Sequence, residues 1–234
     1  MLRVENLHYT YPDGHEALRG ISLTVREGEK LALAGANGSG KSKLLLHFAG
    51  AVAIQSGKIS FRGREGVEVL RKNIGLTFQN ADDEILMPSV IEDVAFSLAA
   101  SGMTLNSAHE HAGKILASLE ISHLSGRLPH RLSGGEKRLV TFAGVLASNP
   151  EVLALDEPTA GLDPKARRRV INFLCGTQKT VILATHDLDM AIDVCERAVI
   201  LNDGEISAEG LLPELFTDKN ILEANNLELP LRYS

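Results

Sequence analysis

Leu31-Ala32-Leu33-Ala34-Gly35-Ala36-Asn37-Gly38-Ser39-Gly40-Lys41-Ser42 is the stretch from which the fold can be read. Four apolar residues without alternation describe a strand buried on both faces. The eight residues from Gly35 to Ser42 fit G-x-x-x-x-G-K-[ST], and a helical pattern runs from Lys41 to Phe48. Strand, glycine-rich turn and helix are the context in which this pattern cradles phosphate. Gly35, Gly38 and Gly40 let the backbone N–H groups of the loop, with Ala36, Asn37 and Ser39 between them, converge on phosphate oxygens. The helix N-terminus adds partial positive charge. Lys41 is expected to reach the β- and γ-phosphates, and the Ser42 hydroxyl to ligate Mg²⁺. The plainer alternative is a turn that merely joins a strand to a helix. The coincidence of all three elements argues against it.

Two more segments carry chemistry. Val152-Leu153-Ala154-Leu155-Asp156-Glu157 is an apolar run ending in two carboxylates. Beside a phosphate loop, Asp156 is expected to hold Mg²⁺ through water, and Glu157 to polarise a water that attacks the γ-phosphate. Without such a loop it would read as a strand followed by an acidic helix cap. In Leu132-Ser133-Gly134-Gly135-Glu136, Ser133 and Glu136 form an S-x-x-E capping box that opens a helix. A capping box does not require two glycines, each of which costs about 1 kcal/mol relative to alanine. Their presence suggests that something approaches this backbone closely, and a bare helix N-terminus is an anion site. Box and anion site are compatible.

Outward from these motifs, the chain opens with short β-type runs separated by Pro12-Asp13-Gly14 and Arg26-Glu27-Gly28-Glu29, as in an antiparallel meander. From about Val90 to Leu146 the apolar spacing is helical. Val152–Leu155 and Thr180–Ala184 read as strands flanking a helix from Pro164 to about Leu174, with Asp163 as its N-cap. Strands alternating with helices imply parallel βαβ units. The fold class is therefore α/β, with an N-terminal antiparallel β region and a helical insertion from about residue 85 to 145.

A chain of 234 residues, 44% hydrophobic and 23% charged, buries roughly 70–75% of its unfolded surface and needs no disulfide or metal staple. The net charge of −6 argues against general nucleic-acid binding, which draws on dense positive charge. Cys175 and Cys195 lack a metal-ligand spacing and are expected to stay reduced, as in the cytoplasm. The N-terminus carries an early acid and no secretory core. No window approaches the ~18 consecutive apolar residues of a membrane-spanning helix.

With these motifs in place, the chain resembles an ABC-type ATPase, the nucleotide-binding subunit of ATP-binding-cassette transporters, over nearly its whole length. The five residues Leu132–Glu136, with Ser133 lying 23 residues before Asp156, distinguish that family from other phosphate-loop proteins. The resemblance implies a phosphate-loop NTPase core formed by 1–84 and 147–210, a helical subdomain 85–146 and a tail 211–234, all within one domain. It further makes Tyr11 the aromatic that stacks on adenine, with Tyr9 as a rival. Gln79 is similar to the glutamine that touches Mg²⁺ and relays nucleotide state. Ala160-Gly161-Leu162-Asp163 is similar to the D-loop, which puts Asp163 at the nucleotide, and His186 to the switch histidine at the γ-phosphate. Read alone, each of these residues has a bland role: edge aromatic, surface amide or cap. The remaining histidines read as surface residues. Two positions depart from the family pattern. Lys43 stands where Thr usually helps hold the α-phosphate, so this position either weakens binding or supplies charge. Glu136 replaces the commoner Gln.

Gln79 to Phe96, together with Tyr11 to Leu18, resembles more narrowly the energy-coupling-factor group and its cobalt/nickel importers. The implied function is an ATP-hydrolysing motor subunit using ATP and Mg²⁺, peripheral on the cytoplasmic face of the membrane through a transmembrane coupling protein. Two subunits, a homodimer or a paired sister subunit, would meet head to tail. Ser133, Gly134 and Gly135 of one would then bind the γ-phosphate held by Lys41 of the other. Asp82, Asp83 and Glu84 are expected to receive basic residues of the coupling helices, or else form a solvated acidic loop. Cobalt or nickel is the favoured cargo, a vitamin the alternative. A soluble ABC ATPase acting on DNA or the ribosome is a further alternative, disfavoured because only 92 residues separate Lys41 from Ser133.

Overall fold

The computed structural model describes residues 1–78 and 85–233. Gln79, Asp82, Asp83 and Glu84 thus lie outside the described residues. The chain divides into two compact units, one of residues 1–76, 151–157 and 178–234, the other of 77–150 and 158–177.

The first unit holds two sheets. β1 (Leu2–Thr10), β2 (Glu16–Val25), β4 (Ser56–Phe61) and β5 (Arg64–Glu65) form an antiparallel sheet in the order β2-β1-β4-β5. This is the meander expected from the turn residues. The six-stranded sheet runs β10 (Glu205–Leu211), β9 (Arg197–Asn202), β3 (Lys30–Ala34), β8 (Thr180–Ala184), β7 (Val152–Asp156) and β6 (Ile74–Thr77). Its centre is parallel: β3 pairs with both β8 and β9, and β7 with β8. Every residue of β7 and β8 is buried, which explains why these strands show no alternation. α1 (Lys41–Phe48) follows β3 and buries Leu44, Leu45 and Phe48 in the core shared with Leu31 and Leu33, each worth about 2 kcal/mol.

In the second unit, α3 (Val90–Ala100), α4 (Leu105–Ser118) and α5 (Gly134–Ala147) pack together. α4 presents Ala108, Ala112 and Leu116 at four-residue spacing, small residues first, so the helices can approach closely. α6 (Pro164–Gly176) belongs here as well, and Phe173 meets Phe142 of α5 edge to face at 5.5 Å. The division therefore differs from the expected 85–146 insertion, because 158–177 joins the helical unit. That pairing bridges residues far apart in sequence and leaves no local signal.

The remaining α-helices among the described residues are α2 (Val67–Asn73), α7 (Leu188–Val194), α8 (Leu212–Thr217) and α9 (Lys219–Ala224). The tail after Leu211 opens with two short helices, since Asp218 caps a second start by accepting from the N–H groups of Asn220 and Ile221. Among the described residues, no helix is long and apolar enough to cross a membrane.

Candidate functional site

In the first unit, the loop from Gly35 to Gly40 joins β3 to α1 through backbone that only glycine adopts readily. Gly35 has φ 145°, and a Cβ there would lie 2.3 Å from the Leu201 carbonyl oxygen. Gly40 has φ 106°, and its Cβ would lie 2.7 Å from the carbonyl oxygen of Ala17. Both glycines are fixed by the chain's own packing. The Lys41 ammonium donates to the carbonyl oxygens of Gly35 (2.7 Å) and Ala36 (2.9 Å) and is 7% exposed. Burial pushes it below the usual lysine range, while Glu157 and Asp156 pull it back. A buried cation is thus held by two carbonyls of the loop, with the charges of Glu157 and Asp156 acting on it. Ser42 is exposed in the first turn of α1, and Asp156 ends β7 in register with Ala184 of β8.

Glu157 follows Asp156 with φ 47°, a left-handed conformation that costs a non-glycine residue ~1–2 kcal/mol. Its N–H donates to the Ala184 carbonyl, 2.9 Å away. The carboxylate is then turned onto the end of β8. Oε1 accepts from the His186 N–H at 2.8 Å and lies 2.6 Å from His186 Nδ1, while Oε2 accepts from the Thr185 hydroxyl at 2.9 Å. Thr185 Oγ1 in turn accepts from the Asp187 N–H at 3.0 Å. The structure therefore joins Glu157 and His186 directly. Thr185, 1% exposed, is a functional candidate that sequence reasoning missed. Its only signal was adjacency to His186.

Also in the first unit, Tyr9 of β1 and Tyr11 just beyond it meet edge to face at 5.2 Å. Tyr9 also meets His47 at 5.0 Å, and Tyr11 stacks with His15 at 6.0 Å. The Lys43 ammonium lies over both tyrosine rings, 4.5 Å from the centre of Tyr9 and 4.4 Å from that of Tyr11. Lys43 therefore supplies a charge to the aromatic pair, and both Tyr9 and Tyr11 belong to one cluster. His47 corrects the reading of the other histidines as surface residues. It is wholly buried, with Nδ1 2.8 Å from the Lys43 carbonyl oxygen, and burial pushes its pKa down. It packs against Tyr9 of β1, a contact between two elements that helical spacing alone did not reveal.

In the second unit, the capping box at the start of α5 is complete. Glu136 N–H donates to Ser133 Oγ (3.2 Å), and the Ser133 N–H donates to Glu136 Oε2 (2.8 Å). That N–H is the main cause holding the Glu136 carboxyl below the usual carboxylate range. The two glycines differ. A Cβ on Gly135 would lie 3.2 Å from the Gly161 carbonyl oxygen and 3.4 Å from the Leu162 side chain, so packing within the unit accounts for it. A Cβ on Gly134 would meet open space, and nothing within the unit requires glycine there. Asp163 caps α6, accepting from the N–H groups of Ala166 and Lys165 at 2.9 Å each, which lowers its carboxyl pKa, the Ala166 bond contributing most.

Residues 18–160 match the family model described as ABC transporter. The chain is 46% identical over 236 residues to a putative ABC transporter ATP-binding protein of Gloeobacter violaceus, covering 98% of this chain and 97% of that one. It is 39% identical over 240 residues to the energy-coupling factor transporter ATP-binding protein EcfA of Methanothermobacter thermautotrophicus, covering 98% and 77% respectively. Among solved structures, CbiO1 of Clostridium perfringens, described as part of the ABC transporter complex CbiONQ, superposes with a TM-score of 0.81 at 36% identity, covering 96% of this chain and 94% of that one.

Proposed function

Since the chain belongs to the ABC transporter family and is an ATPase of that family, we propose that it is the motor subunit of an energy-coupling-factor importer for a metal ion such as cobalt or nickel. The observation that carries the ATPase chemistry is the Glu157 carboxylate, held by Thr185 and His186 in the unit that also contains the Lys41 loop. When ATP binds, its β- and γ-phosphates replace the carbonyl oxygens of Gly35 and Ala36 as partners of the Lys41 ammonium. The exposed amides of the loop take further phosphate oxygens. Glu157 polarises the attacking water as general base, and His186 contacts the γ-phosphate while orienting Glu157.

Ser42 and Asp156 offer a hydroxyl and a carboxylate, hard oxygen donors of the kind Mg²⁺ selects, and Gln79 would complete the set. Bound there, Mg²⁺ would neutralise charge on the β- and γ-phosphates. In the assembled motor, two subunits face head to tail. Ser133, Gly134 and Gly135 of one then grip the γ-phosphate held by the other, and Asp163 lies at the same junction. Gly134, with open space over its Cα, supports such an approach. The subunit works on the cytoplasmic face of the membrane, docked on a transmembrane protein. Asp82, Asp83 and Glu84 meet basic residues there. The metal cargo rests on the likeness of the stretches Tyr11 to Leu18 and Gln79 to Phe96 to the cobalt/nickel group.

Two experiments test this. Glu157→Gln is expected to keep ATP binding, lose ~10²–10⁴ in turnover and accumulate a closed ATP-bound dimer by size-exclusion chromatography. Hydrolysis at the parent rate would remove Glu157 as the base. Co-purification of the membrane partners, followed by ⁵⁷Co or ⁶³Ni uptake into vesicles containing the complex, tests the cargo. ATP-driven uptake of neither ion would overturn the metal assignment.

A further inference from the structure

Tyr9 and Tyr11 form a platform held from several sides. His47 of α1 meets Tyr9 edge to face, the two tyrosines brace each other edge to face, and His15 stacks with Tyr11. The N–H of Tyr11 donates to the His15 carbonyl at 2.8 Å, which closes the turn that carries the ring. His47 is bonded through Nδ1 to the Lys43 carbonyl, one helical turn earlier, and its depressed pKa keeps it neutral at pH 7 beside the Lys43 charge. The rings are thus fixed, whereas the ammonium above them sits on a flexible four-carbon stem. Its distances of 4.4 and 4.5 Å from the ring centres lie well inside the ~6 Å range of cation–π attraction. Lys43 also belongs to the first turn of α1, directly after Lys41 and Ser42, where a phosphate group would sit.

We propose that Lys43 makes base recognition conditional on phosphate: its ammonium caps the Tyr11 ring, and a base stacks there only when the α-phosphate of the same ligand draws that ammonium away. The inference rests on the nucleotide-site reading above and concerns selectivity within it. A ligand without phosphate must displace the cation from the ring and gives it nothing in return. A nucleotide exchanges the cation–π contact for a charge-assisted bond to phosphate. Adenosine is therefore rejected by more than the loss of its phosphate contacts to the loop.

The test is equilibrium dialysis of labelled adenosine, AMP and ADP against the parent chain, Lys43→Met and Lys43→Arg. Methionine keeps the stem and removes the charge, so adenosine should bind about 3- to 5-fold more tightly, as expected for loss of a cation–π cap. AMP and ADP should bind about 3- to 10-fold more weakly, as expected for loss of one phosphate contact. The ADP-over-adenosine ratio then contracts by about tenfold or more, the product of those two changes. Lys43→Arg should keep the parent ratio to within about 3-fold, because its guanidinium serves both rings and phosphate. An unchanged ratio in Lys43→Met, or an equal loss for all three ligands as a purely structural role would give, overturns the proposal. A parent chain that binds no ADP would instead overturn the nucleotide-site reading beneath it.

Discussion

Replacing Thr185 by valine isolates the positioning of Glu157 from every other feature of the site. The side chain keeps its shape in a position only 1% exposed, so no cavity opens and the change is confined to one hydroxyl. That hydroxyl donates to Glu157 Oε2 at 2.9 Å and accepts from the Asp187 N–H at 3.0 Å. A hydrogen bond to a charged group is worth about 1.5–3 kcal/mol, and a stranded buried donor costs about 1–3 kcal/mol. Because Asp187 also caps α7 through the Met190 N–H at 2.9 Å, that turn can relax. We therefore expect a stability loss near 2 kcal/mol, read by urea unfolding. If the lost bond is expressed in the transition state, turnover falls by about 10- to 100-fold, read by phosphate release at saturating ATP. ATP affinity should hold within about 3-fold, since the Lys41 loop is untouched. In a Glu157→Gln background the same substitution should add almost nothing to the turnover defect, because both changes act through one carboxylate. Parent-like turnover in Thr185→Val, or an equal penalty with and without Glu157, would refute the coupling.

Four further outcomes follow from particular distances and charges. Gly134→Ala should leave the fold as stable or up to about 1 kcal/mol more stable, because alanine is the better helix former and the site is open, yet it should weaken ATP-driven dimerisation measured by light scattering. Gly135→Ala should instead lower the unfolding midpoint, since its Cβ presses on the Gly161 carbonyl. Gly35→Ala should yield little folded protein by circular dichroism, the new Cβ having only 2.3 Å to the Leu201 oxygen and a φ that disfavours any side chain. Asp163 has its folded pKa lowered by the N–H groups of α6, so its contribution is full above the unfolded value and lost as pH falls through the folded one. Unfolding curves between about pH 5 and pH 2 should accordingly show a smaller acid loss in Asp163→Asn, which keeps a capping oxygen without titrating, than in the parent.

Much of this arrangement was legible in the chain because it is built from short-range rules. The unalternating runs Leu31–Ala34, Val152–Leu155 and Thr180–Ala184 are what strands buried on both faces require, and they became β3, β7 and β8. Lys41–Phe48 was delimited as a helix, and α1 has those limits. The Ser133–Glu136 box and the Asp163 cap are satisfied within three residues, so spacing alone contains them. The cluster on Tyr9 was not legible, because His47 reaches it from another element and its burial has no helical signature. Nor was the reason for Gly135, which lies in a carbonyl brought alongside from the D-loop segment.

By itself, then, the sequence determined the elements, their α/β class and the glycine-rich loop between β3 and α1, since each depends on residues within a few positions of one another. Only tertiary structure decided that Thr185 and His186 would hold Glu157 from 28 and 29 residues away, that the Lys43 charge would rest on two tyrosines, and that residues 158–177 would pack with the helical unit. Those outcomes are set by contacts between segments distant along the chain, whose geometry follows from how the strands pair and the helices pack and is absent from the spacing of any one motif.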